Sequence, residues 1–194
     1  MSALNLQPLL ASPLVTLRPL QPEDWEGLYK AASNPKTWAG HIHKDRYKES
    51  VFRPYFDGAI SSRAAFAIID NKTEQIIGTS RYHDYKFDAR EIEIGWTFLD
   101  CNYWGGRYNA DIKRLMLAHA FTCLDCVVFW VAKDNLRSQH AMTKIGGVLR
   151  EGEFSKTDGE QIFPYVVFEI RKQNFLSGSL KDERPKALIE ARQN

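Results

Sequence analysis

Glu91–Lys113 reads EIEIGWTFLDCNYWGGRYNADIK, and its pattern changes period midway. Apolar and polar residues alternate through Glu91, Ile92, Glu93, Ile94, Gly95 and Trp96, as in a strand with one covered face. Beyond Tyr108 the spacing turns helical. Ile112, Leu115, Met116 and Ala120 share one face, with Lys113 and Arg114 outside it. The pair Gly105–Gly106 lies between. A strand, a glycine turn and a helix start aim free backbone N–H groups and the positive end of a helix dipole at one point. That point attracts anions, most naturally phosphate.

Working outward, Leu14–Leu20 alternates as a first strand, and the Pro and acids of Gln21–Asp24 open a helix that runs to about Ala32. A second helix is expected around Glu49–Ile60 despite Pro54, with a start at Pro54 as the other option. Ala64–Asp70 and Ile76–Tyr85 read as a hairpin about the polar turn 71–74. Val127–Ala132 is a continuous apolar run, suited to a strand covered on both faces. Asn135–Ile145 is a further amphipathic helix, ended by Gly146 and Gly147. Strands near Val148–Glu153 and Ile162–Ile170 follow, joined by a loop over Lys156–Gly159. The order predicts an α+β (mixed α/β) domain over residues 14–171: a sheet of about seven strands with helices on both faces. Residues 1–13 read as a lead-in, and 172–194 as a polar tail with a short helix in Lys186–Arg192.

A chain of 194 residues suits one well-filled core. Lys and Arg number 26 against 24 Asp and Glu, a net charge of +2 with the signs mixed, so nucleic acid is not the expected partner. No apolar run reaches the ~20 residues that span a bilayer, and the first residues lack a signal-peptide pattern. Three cysteines do not make a disulfide framework, which leaves the cytoplasm as the expected compartment. Cys123 and Cys126 form a C-x-x-C, but at a helix C-terminus, the end that does not lower a thiol pKa. Zinc would need two more ligands, and no second C-x-x-C or H-x-x-x-H exists. Structural thiols and no metal are expected.

The order of elements, Trp96–Leu99, the Tyr103-Trp104-Gly105-Gly106 turn and the spacing Asn135, Ser138, Lys144, Gly146 resemble the GNAT superfamily of acyl-CoA N-acyltransferases. Within it they are most similar to the ribosomal-protein-alanine N-acetyltransferase-like branch. The resemblance implies a twisted mixed sheet split between its fourth and fifth strands, with acetyl-CoA as cosubstrate in the split. It also implies that Trp96, Thr97, Phe98 and Leu99 pair with the pantetheine. Trp104, Gly105, Gly106, Arg107, Tyr108 and Asn109 would receive the pyrophosphate. Asn135 would bond the pantetheine arm, and Ser138 would sit near the sulfur. Arg107 and Asn109 depart from the family's glycine and small residue. Arg107 would either add a bond to phosphate or block the close approach that glycine permits.

Acetyl transfer to an amine needs a base for the amine, a donor for the thioester oxygen and a proton for the leaving thiolate. Glu93, which shares a strand face with Glu91, is the leading base; an ion-paired surface carboxylate is the competing reading. His83 on the neighbouring strand has a suitable ordinary pKa, about 6.5, although a core or surface histidine is the stronger reading. Ser138 is a proton donor to sulfur or a helix cap, and Asn135 a cap or a ligand. Tyr165 is a second donor or a core aromatic. Trp38, His41 and Tyr47 are the candidates for the acceptor cleft. The activity implied is acetyl transfer from acetyl-CoA to a primary amine, on a protein N-terminus or a small molecule, by direct attack in a ternary complex. A non-catalytic acyl-CoA-binding module is the alternative. A homodimer stays open, and no membrane partner is expected.

Overall fold

Nine strands form one sheet in the computed structural model, which describes residues 4–158 and 160–177. They are β1 (Leu10–Ala11), β2 (Val15–Pro19), β3 (Ala65–Asp70), β4 (Ile76–Lys86), β5 (Glu91–Leu99), β6 (Cys126–Ala132), β7 (Val148–Leu149), β8 (Phe154–Asp158) and β9 (Gln161–Arg171). The α-helices are α1 (Trp25–Ala32), α2 (Pro35–Trp38), α3 (Glu49–Ser61), α4 (Tyr108–Ala120), α5 (Leu136–Lys144) and α6 (Lys172–Ser177). The sheet runs β1-β2-β3-β4-β5-β6-β9-β7, with β8 also on β9. β5 and β6 are parallel and every other pair is antiparallel.

Period-two alternation sorts side chains onto two faces. Phe66 and Ile68 of β3 join Ile92, Ile94 and the α4 residues Ile112, Leu115 and Met116 in one core. Ala65 and Ala67 point the other way, to Leu28, Trp38, Phe52 and Phe98. Helices therefore cover both faces, as the mixed α/β reading requires.

Several boundaries differ from the sequence reading. α3 begins at Glu49 as expected, but Pro54 lies inside it rather than at its start. Burial of Phe52 and Phe56 on either side outweighs the backbone bond that proline cannot donate. The strand expected over Val148–Glu153 closes after Leu149, and the expected loop at Lys156 is strand instead: Phe154 pairs with Tyr165 and Lys156 with Phe163. Packing of Phe154 edge-on against Trp130, centroids 5.5 Å apart, holds that strand down. The lead-in contributes β1, and Leu4 enters the core. α6 begins the polar tail and packs Phe175 on Phe121. The helix expected at Lys186–Arg192 lies outside the described residues.

Two departures from regular pairing create the site. β5 and β6 pair through Glu91–Cys126, Ile92–Val127 and Glu93–Val128, and past Glu93 they diverge. On its other edge β5 pairs Phe98 with Thr79 and then Gly95 with Arg81, so β5 carries one residue more than β4. That is a β-bulge at Trp96–Thr97, with Trp96 in the left-handed region at φ 48°. Gly78 makes room for it: a Cβ there would sit 2.1 Å from the Phe98 carbonyl oxygen.

Candidate active site

The divergence of β5 from β6 opens a cleft of about 940 Å³, bounded by the β5 edge, β6, the α4 N-terminus, α5 and the β8–β9 hairpin. Glu93, on the last paired rung, stands at its inner corner and is 4% exposed. Burial raises the Glu93 pKa, Lys156 partly opposes the rise, and Asp84 and Arg81 act more weakly in opposite senses. Gly95 lets the carboxylate turn into the cleft, since a Cβ there would meet Glu93 Oε1 at 2.8 Å. Its neighbour Glu91, on the same strand face, belongs to a different network and accepts from Arg150 Nη2 at 2.6 Å.

Lys156 Nζ lies 3.2 and 3.3 Å from the two Glu93 oxygens. Three rings surround the same ammonium, with centroids at 4.9 Å for Trp96, 4.6 Å for Trp130 and 5.7 Å for Tyr165. Ring faces carry negative quadrupole, so this is an enclosure for a cation.

The bulge is braced from below. The Tyr55 hydroxyl donates to the Trp96 carbonyl, and its withdrawal from water pushes its pKa up to about 12. Lys113 reaches the same bulge from α4. Its Nζ donates to Thr97 Oγ1 at 2.7 Å and lies 5.5 Å from the Phe129 ring on β6, bridging the two diverging strands. Lys113 is 2% exposed, and burial brings its pKa down to about 7. The sequence places Lys113 and Arg114 outside the apolar face of α4; both are buried, because cleft and core together surround this helix.

At the other end, the turn before α4 holds Gly105 at φ 74°, a conformation that costs glycine little. The first N–H groups of α4 have no intrahelical acceptor; the Asp111 N–H, bonded to the Arg107 carbonyl, is the first to close a turn. Arg137 stacks its guanidinium 3.5 Å from the Trp104 ring centroid and lines the cleft beside this turn. Asn135 caps α5 by accepting from the Ser138 N–H at 3.2 Å, so its capping role is met. Both Asn135 and Ser138 also line the cleft.

The structure thus brings Glu93, Trp96–Leu99, Trp104, Gly105, Gly106, Asn109, Asn135, Ser138, Tyr165 and His41 to one cleft. It does not bring the rest. Trp38 is wholly buried behind the wall, its indole N–H bonded to the Ala32 carbonyl at 2.7 Å. Tyr47 packs on the second core, where its carbonyl accepts from the Tyr29 hydroxyl. Arg107 is exposed outside the cleft, and the Tyr108 hydroxyl turns to Asp70 at 3.0 Å. His83 is exposed, edge-on to Trp96 with centroids 4.3 Å apart, and does not line the cleft. His41 remains neutral: burial, Arg46 and Arg137 lower its pKa to about 4. Lys113, Arg137, Tyr55 and Lys156 enter the site without a sequence signal of their own, since each sits in a segment read as outer helix face, core or loop. Burial pushes the Cys126 thiol up to about 11, opposite to a redox thiol. Among the described residues no cluster of His, Cys, Asp or Glu is placed to hold a metal, and no helix is long and apolar enough to cross a membrane.

Comparison with known proteins agrees with this architecture. Among curated proteins none matches the chain. A GCN5-related N-acetyltransferase from Brucella melitensis superposes with TM-score 0.77 at 19% identity, over 90% of this chain and 82% of that one. A GNAT-family acetyltransferase from Bacillus anthracis gives 0.70 at 20% identity, over 86% and 99%. The spermidine N-acetyltransferase of Vibrio cholerae, in complex with CoA and spermine, gives 0.64 at 17% identity, over 85% and 99%. At such identities these likenesses speak to the fold. Residues 15–148 match the family described as Acetyltransferase (GNAT) domain, so this chain, with its split sheet and glycine turn, belongs to the GNAT acetyltransferases.

Proposed function

We propose that the chain is an acetyl-CoA-dependent N-acetyltransferase that acts on a primary amine by direct attack, with Glu93 as general base. The observation that carries this is a desolvated carboxylate at the inner corner of the split, next to a strand edge left unpaired. The residues fit the cosubstrate: an open β5 edge suits the pantetheine amides, and the Gly105–Gly106 turn with the α4 N-terminus suits its phosphates. Arg137, rather than Arg107, stands beside that turn as the charged partner. Asn135 bonds the pantetheine arm with its remaining amide capacity.

Acetyl-CoA, when bound, supplies a thioester carbonyl for the amine to attack and a thiolate that leaves. Glu93 takes the proton that the amine gives up as the C–N bond forms and the C–S bond breaks. Ser138 or Tyr165 returns a proton to sulfur. The bulge at Trp96–Thr97 leaves backbone outside the β4 ladder, and an N–H freed there would stabilise negative charge developing on a carbonyl oxygen held beside it. Orientation of both substrates in one cleft supplies the rest. The ribosomal-protein-alanine branch belongs to this proposal only as one acceptor class, a protein N-terminal amine.

Thiol release from acetyl-CoA with a panel of amines and N-terminal peptides tests the reading. Turnover that depends on both substrates is expected. Thermal stabilisation by acetyl-CoA with no thiol release on any acceptor would replace it with an acyl-CoA-binding module.

A further inference from the structure

An acceptor amine reaches a neutral solution mostly as an ammonium, so the enzyme must first hold a cation and then take a proton from it. The enclosure around Lys156 meets that need. It has one carboxylate, Glu93, almost fully buried, and the faces of Trp96, Trp130 and Tyr165. Its occupant is loosely held. Lys156 rises from β8, an outer strand paired with β9, and its side chain is 34% exposed. Both bonds to Glu93 exceed 3.1 Å, long for a charge-assisted pair. A core ion pair would be shorter and closed to water. This one lets go at the cost of two long hydrogen bonds and three ring contacts, which an incoming ammonium can remake.

We propose that the Glu93–Trp96–Trp130–Tyr165 enclosure is the acceptor-ammonium subsite, and that Lys156 fills it as an internal stand-in until an acceptor displaces it. The stand-in also describes the acceptor. Its ammonium stands at the end of a four-methylene stem, so the acceptor that replaces it is a primary amine at the end of an unbranched alkyl chain. An α-amine, branched at its carbon and flanked by a peptide group, fills this space poorly. The inference rests on the acetyl-transfer reading for its chemistry, but the cation subsite can be tested without turnover.

Two measurements on the full chain test it. Tryptophan fluorescence, with Trp96 and Trp130 as reporters, follows the binding of n-pentylamine in the absence of acetyl-CoA. Lys156→Met should bind it at least tenfold more tightly than the parent, while an Ala-Gly-Gly peptide gains nothing. Equal or weaker binding by both Lys156→Met and Lys156→Gln overturns the subsite, with unchanged thermal melting confirming that each variant folds. The second measurement is the pH dependence of thiol release. The charged groups facing Glu93 are Lys156 from β8 and Arg81 and Asp84 from β4, with His83 opposite it in register. Loss of Lys156 should move the acid limb of kcat/KM, which reports the free enzyme, to higher pH. It should leave the acid limb of kcat in place, because the bound acceptor has already displaced the lysine. A fall in kcat with both limbs shifted would make Lys156 a fixed partner of Glu93 and overturn the proposal. Tight alkylamine binding with no thiol release would overturn acetyl transfer and leave the cation subsite standing.

Discussion

Burial raises the Glu93 pKa, so a carboxyl that must accept a proton loses that capacity early as pH falls. Glu93→Gln should lower kcat/KM by about 100-fold or more near neutral pH. The deficit should narrow as pH approaches the pKa of the amine, where free amine no longer needs a base; a deficit constant across pH would argue against the assignment. Lys113 invites a stability measurement. Unfolded, it keeps its proton up to the ordinary value of 10.5; folded, it releases it at about 7. Between those values the unfolded chain binds more protons, so raising pH favours the fold by up to about 1.4 kcal/mol per unit. Below about 7 both states are protonated and the penalty is constant. Lys113→Met should remove this slope and raise the melting temperature at pH 7, as urea titrations at several pH values would show. Glu93 was legible in the sequence because alternation fixes the face of a strand residue. Lys113 and Lys156 were not, because a lysine in a helix or hairpin reads as solvated until the opposing strands are placed.

At the scale of elements, the bulge depends on an absent side chain across the ladder. Gly78→Ala forces a Cβ into the Phe98 carbonyl. The expected result is about 1–3 kcal/mol of lost stability in denaturant titration, with weakened acetyl-CoA binding in the same variant. Intact acetyl-CoA affinity would show that the bulge does not shape the donor site. β2 through β6, the hairpin turn and the helices α1, α4 and α5 could all be read from period and punctuation. The bulge could not, since Gly78 and Trp96 lie on different strands and nothing in either segment announces the other. β8 was missed for a similar reason. Its polar run has the composition of a loop and becomes a strand because Phe154 finds Trp130.

For the whole molecule, a ligand that binds the folded form stabilises it by mass action. Acetyl-CoA at about 100 times its Kd should add about 2.7 kcal/mol, or roughly 5–10 °C in melting temperature for a chain of this size. No shift at saturating cofactor would remove the donor site altogether. The split sheet also has a mechanical side. Two half-sheets, β1–β5 and β6–β9, meet along three residue pairs, riveted by Arg150 between Glu91 on one half and Glu169 on the other. Such a junction concentrates the tie between the halves in one short stretch, and beyond it Lys113 spans β5 and β6 from Thr97 to the Phe129 ring. Glu93 sits on the last of the three pairs. The carboxylate proposed as base is thus anchored where both halves are tied, at the closed end of the cleft.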